Sequence, residues 1–345
     1  MLLHVLGGVL AIVTVAIAQQ VCNGDASLCS KPYNQVSYLT THNSYASMPN
    51  VAQNQHYDVN TQLKDGIRGL KLSALKFQNY TGVELCHSAC AILDAGPAHN
   101  TLNTIASWLK DNPNEVVSIM WNNLGNFKAT DLQAEYQQVS GIMDLLYVQP
   151  ANNLTWPTLS DMISSGKRLV NYMDVGADQT QVPWLHDQFS YIFETPYENH
   201  NDNQFNCQID RPQDPSNADE MMYVMNHFLY GSLKIGSLPV DLPQPSLANN
   251  TNGQTLQNHA DNCTNIFHRP PNFIEIDFYE SGTTFQVIDK LNNINYTPKT
   301  LGDGSNNQKS VNGTTSSSGT DSFDEVALNT AAALAFVAIA ITILC

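Results

Sequence analysis

The feature that most constrains this chain is a series of short apolar runs spaced along residues 36–278. They are Val36–Thr41, Gly66–Leu72, Val83–Cys86, Val116–Trp121, Arg168–Met173, Tyr191–Glu194 and Phe273–Phe278. Several are continuously apolar, β-branched or aromatic, without the polar alternation of a strand that has one wet face. Such runs suit strands buried on both faces of a parallel sheet. Parallel strands need crossover connections, and these are usually helices.

Helical patterns do lie between them. Leu102, Ile105, Ala106 and Leu109 recur at helical spacing and predict a helix over Leu102–Lys110, ended by Pro113 ahead of the next strand. A second helix is expected over Asp131–Leu146 with Asp131 as its cap, and a third over Ala218–Leu229. No internal repeat is present. Strand–helix alternation over this length predicts an α/β fold, a TIM-type (β/α) barrel that need not be regular. The Pro- and Asn-rich stretches Asn199–Pro215 and Ser237–His268 are expected as long loops.

The two ends set the compartment. Val5–Ala18 is too short to span a bilayer, which takes about 20 apolar residues, and it closes on Ala16-Ile17-Ala18, small residues of the kind a signal peptidase reads. Residues 1–18 are therefore expected as a signal peptide, with an N-terminal anchor as the alternative. Residues 19–310 form the expected folded domain. Residues 311–325 are a small, polar and then acidic spacer, and residues 326–345 an uncharged apolar run. That order is the pattern of a glycosylphosphatidylinositol attachment signal, which would tether the protein to the plasma membrane or cell wall. An ordinary tail anchor is the alternative.

Seven cysteines fit this compartment. Cys345 lies in the apolar tail and leaves Cys22, Cys29, Cys86, Cys90, Cys207 and Cys263. Six cysteines allow fifteen pairings. Pairing near neighbours, Cys22 with Cys29 and Cys86 with Cys90, leaves Cys207 with Cys263. A zinc site at Cys86-x-x-x-Cys90 is disfavoured because no second close Cys/His pair has ligand spacing. Asn79, Asn153, Asn249, Asn262, Asn295 and Asn312 are N-glycosylation acceptors by sequence. The net charge of −16 argues against a nucleic-acid partner and against electrostatic adsorption to anionic lipid.

In a parallel barrel, functional side chains gather at the C-terminal ends of strands. The first run ends in Thr41-His42-Asn43, the second carries Arg68, Lys71 and Ser73, and the third ends in Cys86-His87. The later runs end in Asn122-Asn123, Asp174, Glu194, and Asp277 with Glu280. Two histidines, two cations and several carboxylates at one mouth suit phosphodiester cleavage by a neighbouring hydroxyl. That reaction needs a base, an acid and a cation facing the phosphoryl oxygens. Trp156, Trp184 and Tyr197 are candidates for an aromatic rim, with core packing the competing reading.

The stretches YLTTHNSYA, QLKDGIRGLKL, ELCHSAC, NPNEVVSIMWNN, RLVNYMD, FETPY, NHFL and NFIEIDFYESG resemble the phosphatidylinositol-specific phospholipase C X-domain superfamily, and within it the secreted fungal PLC-like phosphodiesterases. The resemblance runs from about Ser37 to Gly282. It implies a PLC-like phosphodiesterase barrel and a phosphoric diester hydrolase with His42 as general base and His87 as general acid. Arg68 takes the place of the family's signature arginine, bracing either barrel or phosphate, and Asp277 that of the acid behind the first histidine. Lys71, Asn43 and Trp184 become substrate-binding candidates. The implied substrate is a phosphodiester such as phosphatidylinositol or a glycan-linked lipid. Metal-using relatives place acidic residues where this chain has Lys71 and Ser73, and a glutamate where it has Trp121-Asn122-Asn123. No cofactor is therefore expected, and Lys71 is the candidate substitute for a metal cation.

Overall fold

The computed structural model describes residues 20–302, apart from 79, 236 and 237. The expected signal peptide, spacer and apolar tail, together with Cys345, Asn79 and Asn312, lie outside the described residues.

Eight strands run parallel. They are β1 (Tyr38–Thr41), β2 (Gly69–Leu75), β5 (Val117–Asn122), β6 (Leu169–Met173), β7 (Leu185–Asp187), β8 (Ile192–Glu194), β9 (Met222–Asn226) and β12 (Phe273–Ile276). Their order is β7-β6-β5-β2-β1-β12-β9-β8. The ladder is open between β7 and β8, where the 3-10 turn Gln188–Ser190 intervenes. The fold is thus an α/β barrel of TIM type with one irregular seam. Two antiparallel excursions complete it: β3 (Glu84–His87) and β4 (Leu93–Pro97) extend from β2, and β10 (Tyr230–Ile235) pairs with β11 (Leu238–Pro243). The helices are α1 (Val59–Asp65), α2 (Ala98–Asp111), α3 (Ala129–Gln137), α4 (Ile142–Leu145), α5 (Leu159–Ser165), α6 (Ala248–Asn250), α7 (Leu256–Phe267) and α8 (Thr284–Asn292).

Alternation along each strand separates two environments. Leu70 and Leu72 of β2, Ile119 and Trp121 of β5, and Ile274 and Ile276 of β12 pack outward under the helices. Tyr38, Met120, Tyr172, Met222 and Phe273 point into the lumen, and its floor is closed by Tyr33 of the N-terminal segment packed on Trp156 from the connection between α4 and α5. Tyr172 meets Phe273 across the lumen with ring centres 6.3 Å apart, although β6 and β12 are not neighbours. Higher on the same inward faces the residues turn polar: Lys71, Glu194 and Glu275, then His42 and Asp277. Gly69 faces inward beside Thr40, where an added Cβ would lie 2.1 Å from the threonine hydroxyl, so only glycine lets β2 approach β1 there.

The cysteines pair as Cys22–Cys29, Cys86–Cys90 and Cys207–Cys263. The helix expected over Leu102–Lys110 lies inside α2. That over Asp131–Leu146 breaks into α3 and α4 at Gly141, whose φ is +78°. Asp131 is not the cap but sits one turn in, accepting from the Lys128 N–H at 2.9 Å.

Three expectations are corrected. Ala218–Leu229 is not a helix, because its apolar core Met222–Asn226 is strand β9, buried on both faces. A short apolar run does not reveal its period when every position is buried. Val83–Cys86 is not a parallel barrel strand, since β3 runs antiparallel to both β2 and β4. Ser237–His268 is not a long loop. It holds β11 and the helix α7, where Leu256, His259, Ala260 and Cys263 face inward at helical spacing and polar residues cover the other face. The high polar content of that helix hid its stripe.

Four histidines are buried and pushed down by loss of hydration: His87, His186 and His259 to about 4, and His227 to about 3. In the free folded chain each favours the neutral form down to its lowered pKa, yet binds a proton near pH 6.5 once unfolded. Their contribution to stability is complete above pH 6.5 and lost as pH falls through about 4. The melting temperature should therefore fall steadily from pH 6.5 to pH 4, and His186→Gln should flatten that slope in thermal melts.

Candidate active site

His42 follows β1, and its N–H donates to Ile276 O at 2.9 Å, extending the pairing with β12. This sets its ring against Asp277, two residues after Glu275 on the same inward face. His42 Nδ1 lies 3.0 Å from Asp277 Oδ1, and its Nε2 lies 3.1 Å from Asn43 Nδ2. A carboxylate only accepts and an amide nitrogen only donates. Asn54 Nδ2 also lies 3.3 Å from Nδ1, but the shorter contact there is to the carboxylate, so the ring carries its proton on Nδ1 and presents a lone pair at Nε2. Asn43 cannot be reversed: its Nδ2 also donates to Asn54 Oδ1 at 3.3 Å, and Asn54 must keep its own Nδ2 on the Asp277 carboxylate, which only accepts. The Asn43 backbone is left-handed, φ +43°, a conformation asparagine tolerates. Phe228 lies flat on the imidazole at 3.9 Å and 12°, and Tyr230 meets it edge-on at 6.1 Å.

His87 ends β3 and is 3 % exposed. Burial, and then the charge of His42 when protonated, push it down to about 4, so the two rings are within electrostatic reach. Its Nδ1 contacts Ser88 Oγ at 3.1 Å, and its Nε2 is buried without a hydrogen-bond partner. The turn that carries it is clasped by Cys86–Cys90. Tyr45 joins the two histidine segments: its hydroxyl donates to Cys86 O at 2.7 Å, with Asn43 Oδ1 a second acceptor at 3.2 Å.

Beneath them lies a buried charge cluster. Lys71 Nζ is 3.5 Å from Glu194 Oε1 and 4.0 Å from Glu275 Oε2. Glu194 also holds Arg211 at 2.5 Å and accepts from Gln188. Arg211 in turn lies over the Tyr197 ring at 4.5 Å. Burial works against the Lys71 ammonium, but Glu194 and Glu275 outweigh it and raise its pKa. Burial also opposes the Glu194 charge, but Lys71 and Arg211 outweigh it and hold this carboxyl low. Glu275 goes the other way, raised by burial, and its Oε2 has no hydrogen-bond partner.

Two expected site residues are elsewhere. Arg68 precedes β2, at the opposite end of the barrel from His42. It pairs with Glu115 at 2.7 Å, donates to Leu63 O and Ile67 O, and lies over Trp108. It braces the barrel floor and does not approach the mouth. Trp184 is a core residue, 6 % exposed and packed on Tyr136 with ring centres 4.4 Å apart, so it offers no substrate surface. Trp156 is likewise buried, against Tyr33. Glu280 turns to His56 at 2.6 Å. The structure adds Asn54, Gln55, Tyr45, Phe228, Glu275 and Arg211. Glu275 had a sequence signal in its spacing of two from Asp277, Tyr45 and Phe228 fall inside the stretches YLTTHNSYA and NHFL without being singled out, and Asn54, Gln55 and Arg211 had none. Asn153, Asn249, Asn262 and Asn295 are exposed, as glycan attachment requires. Cys207, His259 and Cys263 come together with metal-ligand spacing, but their sulfurs are joined to each other and offer no thiolate.

Residues 28–292 match the family described as PI-PLC X 1. The chain belongs to the PI-PLC X domain family. It is 39 % identical over 298 residues to an uncharacterized secreted protein of Arthroderma benhamiae, covering 81 % of this chain and 66 % of that one. The chain thus spans just under two thirds of that relative's length. It is 34 % identical over 282 residues to PI-PLC X domain-containing protein 1 of the same organism, covering 79 % of this chain and 90 % of that one. The phosphatidylinositol-specific phospholipase C of Listeria monocytogenes shares the fold, with a TM-score of 0.51, 17 % identity, and 76 % and 95 % of the two chains covered.

Removing the Arg68 charge leaves the half-buried Glu115 without its ion-pair partner and the buried Leu63 and Ile67 carbonyls without their donor. Arg68→Gln should cost about 3 kcal/mol of stability in denaturant unfolding, while binding at the mouth is unchanged.

Proposed function

We propose that this protein is a phosphoric diester hydrolase of phospholipase C type, working through His42 and His87 without a metal. The observation that carries the reading is the pair of histidines at one mouth. One is set by Asp277 with its Nε2 lone pair available, and the other is buried with an unpartnered Nε2.

A hydroxyl of the substrate displaces the Asn43 amide from His42 Nε2 and gives up its proton there. Its oxygen attacks phosphorus, the bond from phosphorus to the leaving alcohol breaks, and His87 delivers a proton to the departing oxygen. The products are a cyclic phosphate and a free alcohol. Lys71 supplies positive charge near the phosphoryl group, where a dication would meet an ammonium already seated between two carboxylates. The substrate class is a phosphodiester bearing a neighbouring hydroxyl, such as phosphatidylinositol or a glycan-linked lipid. The enzyme would meet it outside the cell, held near the membrane by the lipid anchor that its C-terminal sequence suggests.

A second reading has a specific observation behind it. Phe228 covers His42, which is only 7 % exposed, as expected of a silent barrel kept as a surface glycoprotein. Turnover of phosphatidylinositol separates the two. His42→Ala and His87→Ala should each reduce it at least about 1,000-fold, and a chelator should leave it unchanged. Full turnover in both variants would sink the enzyme reading, and none in the wild type would favour the silent barrel.

The reactive form needs His42 neutral and His87 protonated. His87 in the free protein is held down to about 4, so this form becomes scarcer as pH rises above 4. A bound phosphodiester anion favours the imidazolium and shifts His87 upward. The falling limb of kcat/KM should therefore lie at lower pH than that of kcat in steady-state pH profiles.

A further inference from the structure

Asn54 is fully buried in the loop between β1 and α1, and no sequence signal singles it out. Its backbone is tied on both sides: its N–H donates to Ala46 O at 3.0 Å, and its carbonyl accepts from Phe278 N–H at 2.9 Å. The loop therefore bridges the ends of β1 and β12, the two strands that carry His42 and Asp277. The next residue reinforces this, since Gln55 Nε2 donates to His42 O at 2.9 Å and to Ile276 O at 3.0 Å.

The Asn54 side chain meets the partners of both imidazole nitrogens. Its Nδ2 donates to Asp277 Oδ1 at 2.8 Å and lies 3.3 Å from His42 Nδ1, and its Oδ1 accepts from Asn43 Nδ2 at 3.3 Å. Donor directions then run one way through the whole set. Ser73 donates to Asn43, Asn43 donates to Asn54 and to His42 Nε2, and Asn54 donates to Asp277, which also receives the His42 Nδ1 proton. Reversing the Asn54 amide would aim its oxygen at the carboxylate and its NH2 at an amide NH2. Asp277 therefore decides the orientation, accepting from both Asn54 Nδ2 and His42 Nδ1, and a buried amide held this way fixes the placement of both neighbours.

We infer that Asn54 is a positioning residue for His42: by holding Asp277 and Asn43 together it keeps the imidazole in the single tautomer with its proton on Nδ1. The inference deepens the proposed function and rests on His42 as the base. Asn54 itself lies behind His42 and touches no reacting atom. An amide suits the position better than an acid. An aspartate has no N–H for Asp277 and would set a second carboxylate against the first.

The test uses Asn54→Leu and the shape-preserving Asn54→Asp, with folding checked by thermal melting. Two readouts are taken on the whole protein. The first is kcat and KM for phosphatidylinositol cleavage. The second is the imidazole 15N–1H spectrum near pH 7, with His42 assigned by its loss in His42→Ala. Wild-type His42 should show one tautomer, protonated on Nδ1. Both variants should show mixed tautomers, with kcat lowered about 10- to 100-fold and KM nearly unchanged. A wild-type tautomer in a folded variant overturns the inference, as does an unchanged kcat. If Asn54→Leu does not fold, Asn54→Asp decides by the same criteria. Should His42→Ala keep full turnover, the proposed function fails, and the tautomer spectrum alone still decides whether Asn54 positions the ring.

Discussion

The charges across the barrel lumen are the constraint on which the rest depends. Lys71, Glu194 and Glu275 come from three strands that are not adjacent in the ladder, and all are enclosed. Taking ions from water costs several kcal/mol each, recovered only if partners and hydrogen bonds are placed well. Arg211 and Gln188 complete the set around Glu194. Removing any one member strands the others, so the strands that carry them cannot slide by a residue. A one-residue slip would also turn the whole polar column outward into the helix layer.

That column stands on an apolar floor. Tyr33, Tyr38, Tyr172 and Phe273 fill the lower lumen and exclude water from beneath the charges. At the mouth, burial favours the neutral form of His87 in the free protein. A buried site with unpartnered polar atoms on His87, Glu275 and Asp277 is costly to stability. Such atoms are tolerable where a charged ligand would pair with them. The rigid frame around His42 has the opposite character, since both ring nitrogens are met and both neighbours are held in turn.

Much of this was legible beforehand because period and strand-end position translate directly into geometry. Six of the seven apolar runs coincide with barrel strands, and His42, Lys71, Glu194 and Asp277 all share inward faces of strands or their ends. The failures have equally plain causes. Met222–Asn226 is apolar throughout, so nothing in its residues separates strand from helix. Arg68 looks like a phosphate ligand by its motif, but it sits before β2 rather than after it, which sends it to the floor. Trp184 has the residue type of a rim and the environment of a core.

Sequence by itself determined the α/β alternation, the six cysteines that pair, the family, and the two histidines as candidates. These follow from local composition and spacing, which a chain carries whether or not it is folded. Only the tertiary structure decided that Arg68 is a brace and that Lys71 is locked between two carboxylates. It also brought Asn54, Phe228 and Tyr45 around His42. Those outcomes depend on which loops return to the mouth from strands far apart in the chain. Long-range contact of that kind leaves no periodic trace in the residues that make it.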